Sequence, residues 1–272
     1  VIGKWHLSNN STHPNSMGIN YYSGFSNGGV QSYNNWTLIE NGILTSSTDY
    51  TTTKFTDLAI DWIGNQTNPW FLWLAYNAPH TPFHLPSNNL HYQGDLPPDQ
   101  ASIDANPLLY YLAMIEAMDT EMGRLINSMT AEERENTTII FIGDNGTPNE
   151  VVQEYASNRA KGSVFQGGVN VPMIISGKNV NRINEVENAL INTTDIFATI
   201  ADLTETGITE INDSKSFKLL LSNLSSDSRE FVYTETGDSS YAIRNITHKY
   251  IKLSNGNEAL YNLETNPFEF PN

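Results

Sequence analysis

Ile139-Ile140-Phe141-Ile142-Gly143-Asp144-Asn145-Gly146 decides the fold. Its first half is a continuous apolar, β-branched run with the length of a strand buried on both faces. Its second half is a polar turn that carries a carboxylate. An apolar strand running into Asn-Gly ordinarily announces a hairpin, but a hairpin needs a second alternating strand. Thr147-Pro148-Asn149-Glu150 does not supply one, so the local residues leave a plain turn and a metal-binding loop both open.

Working outward, a long helical pattern precedes this strand, with Leu108, Leu112, Ile115, Met118, Met122, Leu125 and Ile126 at three- and four-residue steps. Thr53–Ile63 repeats the theme through Phe55, Leu58, Ala59 and Trp62, and Asn192–Leu203 reads as a further helix. Phe71–Tyr76, between Pro69 and Pro79, predicts a second buried strand, and Met173-Ile174-Ile175 a third. Alternating strand and helix implies an α/β fold, a mostly parallel sheet flanked by helices. The tail changes character. Short strands around Val232, Ala242, Ile251 and Leu260 recur with Gly237 and Asn255-Gly256 between them, predicting a small antiparallel subdomain. The expected division is therefore an α/β core over 1–225 and an antiparallel β subdomain over 226–272. Ser8–Ser47, rich in Asn, Ser, Gly and Tyr, is expected to be long surface loop. Its several Asn-x-Ser/Thr triplets arise by chance in so Asn-rich a chain.

Composition narrows the function. The 272 residues carry 14 basic and 30 acidic side chains, a formal charge of −16. Such a chain lacks the basic stripe that nucleic acid or an anionic membrane surface requires. An anionic ligand must be captured by a few local cations or by a metal. With no cysteine, disulfides, thiolate metal sites and cysteine nucleophiles are excluded within these residues. No apolar run reaches the roughly 20 residues of a membrane span. The chain opens Val1-Ile2-Gly3-Lys4 with neither an initiator methionine nor a polar lead-in, which reads as entry partway through a strand. The expectation is that a segment precedes Val1.

In open α/β sheets ligands bind beyond the carboxyl ends of the strands. Gly3-Lys4-Trp5-His6 follows the first strand, Asn77–His84 the second, and Gly143–Gly146 the third, so these polar loops are expected on one edge. Lys161 lies in the next connection. Taken singly, Lys4, His6 and Lys161 are ordinary turn or surface residues, and His80 a loop histidine. His80 and His84 have the spacing of a helical zinc pair, but Pro79 and Pro82 exclude that helix. Glu116, Asp119 and Glu121 fall beside the apolar stripe of the long helix and are expected to be its solvated margin. The serine-hydrolase elbow, the phosphate-binding Walker loop, the zincin motif and the EF-hand loop are all absent.

Together the pieces resemble one family. Gly3-Lys4-Trp5-His6-Leu7 is similar to a signature of the sulfatases, formylglycine-dependent enzymes of the alkaline phosphatase superfamily. Ala75–Phe83 resembles that family's histidine loop and Met114–Gly123 its long helix. Gly143–Gly146, Lys161-Gly162-Ser163 and Gly167–Pro172 resemble its metal loop and lysine segment, and Asn192–Ala201 and Leu260–Pro267 are also family-like. The resemblance runs through nearly the whole chain in the family's order. It implies an alkaline phosphatase-like fold and hydrolysis of sulfate esters, with a sulfated carbohydrate as substrate, in the periplasm or outside the cell. It implies calcium, with magnesium the alternative hard cation, held by Asp144 and Asn145. It implies that Lys161 and His80 hold the sulfate oxygens, with His84 added to the substrate-binding set and His80 protonating the leaving oxygen. Lys4 and His6 would hold the nucleophile, a formylglycine.

The family places that nucleophile in a Cys/Ser-x-Pro-x-Arg motif upstream of the Gly-Lys-Trp-His segment, and no such motif occurs in these residues. The 272-residue chain alone is therefore expected to be inactive, and the loss of central strands to leave exposed apolar edges and poor solubility. Two further readings stay open. One is a phosphonate or phosphate ester hydrolase of the same superfamily. The other is a non-catalytic protein that binds sulfated glycans. Tyr21, Tyr22, Trp36 and Tyr92 are aromatics that would suit a carbohydrate surface or a core equally. Oligomeric state is not readable.

Overall fold

A computed structural model describes residues 1–222 and 229–270; the expected boundary at 225/226 lies outside the described residues. The chain divides into two units, Val1–Ala131 and Glu132–Asn272.

The first unit runs β1 (Ile2–Lys4), α1 (His13–Ser16), β2 (Ser23–Phe25), β3 (Trp36–Glu40), β4 (Ile43–Ser47), α2 (Thr51–Gly64), β5 (Leu74–Ala75), α3 (Gln100–Ala105) and α4 (Pro107–Ser128). Its sheet has the order β4-β3-β2-β1-β5. β1 pairs in parallel with both β2 and β5, while β3 and β4 add antiparallel strands at one edge. The sheet is thus mixed, parallel at the end where the candidate loops emerge. Glycine permits the closeness of the central strands: an added Cβ at Gly3 would fall 2.0 Å from the Ala75 carbonyl oxygen, and one at Gly24 1.8 Å from that of Gly3.

Two expectations need correction here. Ser8–Ser47 is not one surface loop, because it supplies β2 and the β3–β4 hairpin. The hairpin turns on Asn41 and Gly42, whose φ angles of 46° and 90° suit the mirror-image turn that matches strand twist. The buried strand expected over Phe71–Tyr76 narrows to Leu74–Ala75 at the sheet edge, with Phe71 63% and Trp73 49% exposed. An edge strand pairs on one side only, and β1 reaches no further back than Trp73, whose carbonyl accepts from Ile2 N at 2.9 Å.

The sheet buries both faces. Ile2, Phe25, Trp36 and Leu38 pack with Phe55 and Ala59 of α2, and Trp5, Tyr22 and Ile39 form a second cluster. Tyr22 and Trp36 are therefore core residues, whereas Tyr92 is 89% exposed. The helices expected near 53–63 and 108–126 are present as α2 and α4. The deepest stripe of α4 is Tyr110, Ala113, Met114, Ala117 and Glu121, so Glu121 is not solvated margin. Its carboxylate accepts from Thr53 Oγ1 at 2.8 Å and from Arg124 Nε at 2.8 Å, and Arg124 also reaches Asp57 at 2.7 Å. A buried charge held this way ties α2 to α4. Glu116 is likewise engaged, accepting from Tyr92 N and Gln93 Nε2, each at 2.6 Å.

The second unit contains α5 (Ala131–Asn136), β6 (Thr138–Ile142), α6 (Gln166–Val169), β7 (Met173–Gly177), α7 (Asp195–Leu203), β8 (Glu210–Ile211), β9 (Ser214–Lys215), β10 (Val232–Glu235), β11 (Tyr241–Arg244), β12 (His248–Lys252) and β13 (Glu258–Asn262). β6 and β7 pair antiparallel. The intervening chain folds back to the end where β6 finishes, so β7 departs in the opposite direction. The antiparallel tail is present as the sheet β10-β11-β12-β13. One face of it, through Ala242, Ile251 and Tyr261, packs on Val164 and Phe165. Phe217, Leu220 and Leu221 cover Met173 and Ile175 of β7.

Candidate active site

In the first unit the site grows from adjacent parallel strands. Lys4 ends β1, and pairing continues beyond it, with Trp5 N donating to Phe25 O at 3.0 Å and His6 N to Ser26 O at 3.2 Å. His6 then leaves the ladder with φ 51°. Beside it, the turn after β2 presents two glycines. A Cβ on Gly28 would lie 2.6 Å from His6 Nε2, and one on Gly29 3.4 Å from His80 Cε1 and Nδ1. Both imidazoles thus lie against bare backbone of one turn, and the structure brings His6 and His80 to neighbouring positions on it.

His80 sits where β5 hands over to a series of turns, its N–H donating to Asn77 O at 2.9 Å. The Ala78–Pro79 and Thr81–Pro82 peptide bonds are both cis. His80 Nδ1 lies 2.9 Å from Thr81 O. A carbonyl only accepts, so Nδ1 carries a proton and Nε2 is the nitrogen that gains or loses one. His84 is built differently. Its Nδ1 lies 3.1 Å from Pro82 O and its Nε2 3.2 Å from Tyr50 Oη. Burial lowers its pKa, partly countered by the Pro82 bond, so near neutral pH it is an uncharged ring accepting from Tyr50. Both ring nitrogens of His84 are thus engaged within the loop and its neighbours.

In the second unit β6 runs directly into Asp144-Asn145. The turn is gripped at both ends, by Gly143 N to Pro172 O and by Gly146 N to Gly168 O, each at 3.0 Å. Lys161 N donates to Thr147 O at 3.0 Å, which sets the lysine segment beside the turn. Glycine again makes the contact: a Cβ on Gly146 would be 1.9 Å from Gly167 O, and one on Gly168 2.3 Å from Ser163 O. From below, Glu269 accepts from Gln166 N at 2.6 Å and pairs with Lys249 at 3.0 Å. The structure therefore groups Asp144, Asn145 and Lys161 on one glycine-lined scaffold.

The donor chemistry here fits calcium in part. Asp144 and Asn145 are exposed, and the Asn145 amide nitrogen donates to Gly146 O at 3.0 Å, leaving the amide oxygen as the donor to a ligand. These are hard oxygens of the kind calcium takes, but calcium takes about six to eight. Among the described residues no cluster of three or more His, Cys, Asp or Glu could hold a metal. The turn offers two such oxygens, from Asp144 and Asn145.

Several contributors escaped the sequence reading: Gly28, Gly29, Tyr33, Tyr50, Gln166, Lys249 and Glu269. Only the first two carried a local signal, a Gly-Gly pair just past a strand.

The first unit thus sets imidazoles beyond parallel strand ends, and the second an Asp-Asn-Gly turn beside a lysine segment. The chain belongs to the sulfatase family, whose model matches residues 1–206. It is 26% identical over 238 residues to the uncharacterized sulfatase YdeN of Escherichia coli, covering 76% of this chain and 41% of that protein. It is 26% identical over 270 residues to an arylsulfatase of Hemicentrotus pulcherrimus, covering 86% and 46%. The chain thus spans less than half the length of these two relatives. Among solved structures, Ps i-CgsB in complex with k-i-k-neocarrahexaose aligns with TM-score 0.78 and 24% identity over 100% of this chain and 66% of that one. BT4656, solved with its substrate D-glucosamine-2-N,6-O-disulfate, aligns with TM-score 0.73 and 18% identity over 98% and 74%. At these identities the structural likeness establishes the fold.

Proposed function

We propose that the full-length protein hydrolyses sulfate esters on a sulfated carbohydrate, outside the cytoplasm. The observation that carries this reading is the pair His6 and His80 laid on the Gly28-Gly29 turn at the carboxyl ends of parallel strands. The glycan assignment draws on the structural neighbours solved with k-i-k-neocarrahexaose and with D-glucosamine-2-N,6-O-disulfate.

Cleavage of a sulfate ester pushes charge onto the leaving alcohol oxygen, so the protein must position the ester, neutralise its oxygens and deliver a proton. In this reading His80 delivers that proton from Nε2, because Nδ1 is committed to Thr81 O. His80 also holds the sulfate oxygens. Lys4 and His6 orient the attacking residue, a formylglycine contributed from outside these 272 residues. Asp144 and the Asn145 amide oxygen would hold a calcium ion, which when bound supplies positive charge to the ester oxygens.

The test is hydrolysis of a sulfate monoester and a phosphate monoester by the full-length protein and its His80→Ala variant. Sulfate turnover that falls roughly 100-fold or more in kcat in the variant is expected. Preference for the phosphate ester would place the protein with the phosphate hydrolases of the superfamily. Tight glycan binding without ester loss would make it a binding protein.

A further inference from the structure

Three successive carbonyls of the histidine loop each accept from a side chain. Tyr33 Oη donates to His80 O at 2.6 Å, His80 Nδ1 to Thr81 O at 2.9 Å, and His84 Nδ1 to Pro82 O at 3.1 Å. The rings of the outer two donors are themselves in contact. The Tyr33 and His84 rings lie 4.1 Å apart, and Tyr50 stands 5.9 Å from Tyr33 and 5.4 Å from His84. Tyr50 also meets His84 Nε2 at 3.2 Å. Tyr33 is only 2% exposed and is anchored to the start of α2, where Thr51 N donates to its carbonyl at 2.9 Å. A segment of turns has no ladder of its own to fix its peptide planes, so these three side chains hold them.

We infer that Tyr33, Tyr50 and His84 are positioning residues that fix the plane and the proton of the His80 imidazole, an inference that rests on the proposed role of His80 as proton donor. The linkage is geometric. The His80 and Pro82 carbonyls lie on either side of Thr81, so holding both of them holds the direction in which the Thr81 carbonyl faces the imidazole. While Thr81 O accepts from Nδ1, the neutral ring is unprotonated at Nε2, and the proton that charges the ring is the one on Nε2. If the peptide turns, Nδ1 loses its acceptor and the ring samples both tautomers. The reactive nitrogen is then correct only part of the time. Second-sphere partners of a working histidine act in this way elsewhere, through the hydrogen bond made by the opposite nitrogen.

The test uses full-length protein labelled with nitrogen-15 histidine, its His80 signals assigned by loss in His80→Gln. Tyr33→Phe deletes one hydroxyl and keeps the ring that lies against His84. The unmutated protein should show separate shifts for the protonated Nδ1 and the unprotonated Nε2 of the neutral His80 ring. In Tyr33→Phe these shifts should average toward each other, and the His80 backbone amide should exchange about fivefold faster, the loss of one net hydrogen bond. Amides of α2 should keep their rates, which separates positioning from general loosening. In turnover, kcat should fall about fivefold with KM changed less than twofold. Unchanged His80 nitrogen shifts in folded Tyr33→Phe overturn the inference. If that variant does not fold, Tyr50→Phe answers the question, because it removes the hydroxyl behind His84 without touching the His80 carbonyl. Averaged His80 shifts support the relay, and unaltered ones overturn it. Absence of sulfate-ester turnover in the unmutated protein would sink the functional reading alone, since the nitrogen shifts report positioning without it.

Discussion

Glu269→Gln is the substitution whose cost the structure defines best. Glu269 is 0% and Lys249 1% exposed, and the two charges stand 3.0 Å apart. Lys249 Nζ also lies 3.2 Å from Gln166 Oε1, while the second Glu269 oxygen accepts from Gln166 N at 2.6 Å. Glutamine keeps the shape and can still accept from Gln166 N, so what disappears is the countercharge. Removing one partner of a buried pair costs roughly 3–5 kcal/mol, because the remaining ion stays desolvated. The retained hydrogen bond puts this case near the lower end, about 3 kcal/mol, or about a hundredfold in an opening equilibrium. Burial already lowers the Lys249 pKa, and Glu269 is the group that raises it again. In Glu269→Gln the folded-state pKa therefore drops further below the ordinary lysine value, and the unfolded chain binds the extra proton between the two. Stability of the variant should consequently rise with pH across that window, as Lys249 sheds its charge. The assay is native-state hydrogen exchange of Gly168 and of β12, which reads this unit without assuming that the whole chain unfolds at once. Lys249→Met with Glu269→Gln should recover most of the loss. Exchange within threefold of the parent in the single variant would refute the reasoning.

Gly146→Ala should destabilise the second unit by about 1–3 kcal/mol, since the new methyl meets backbone at Gly167 that cannot swing away; hydrogen exchange at Gly146 and Gly168 measures it. His84, its pKa lowered from 6.5 by burial, binds its proton more readily in the unfolded chain. Its contribution to stability should be complete above pH 6.5 and lost as pH falls from there toward its folded value, and His84→Gln should flatten that part of the Tm-against-pH curve.

Much of this architecture was legible in the residues because it rests on periodicity and local chemistry. α2 and α4 declared themselves by apolar spacing, β6 by its unbroken run, and β10–β13 by short strands between turns. Pro79 and Pro82 correctly kept His80 and His84 off a helix. Asn41-Gly42 was a hairpin signal in plain view, but the Asn- and Ser-rich flanks obscured the strands on either side. Glu121 shows a different limit: a carboxylate on a helix reads as solvated unless its partners are known, and Thr53 and Asp57 lie on another helix. The same holds for Lys249, Glu269 and Gln166, and for Tyr33 and His80, whose meeting is decided by tertiary packing across many residues. Of the candidate site, the residue types and loop positions could be read; the props beneath them could not.

The Gly28-Gly29 turn carries a consequence for how this family varies. Gly28 is the empty half of a pair whose other half is the His6 imidazole, so positions 28 and 6 occupy a shared volume, whereas a methyl at Gly29 would meet His80 at ordinary contact distance. A lineage that keeps His6 in this place should keep position 28 bare. Where a relative bears a side chain at 28, the compensation should appear as a smaller or rotated residue at 6, and those two columns of an alignment should change together.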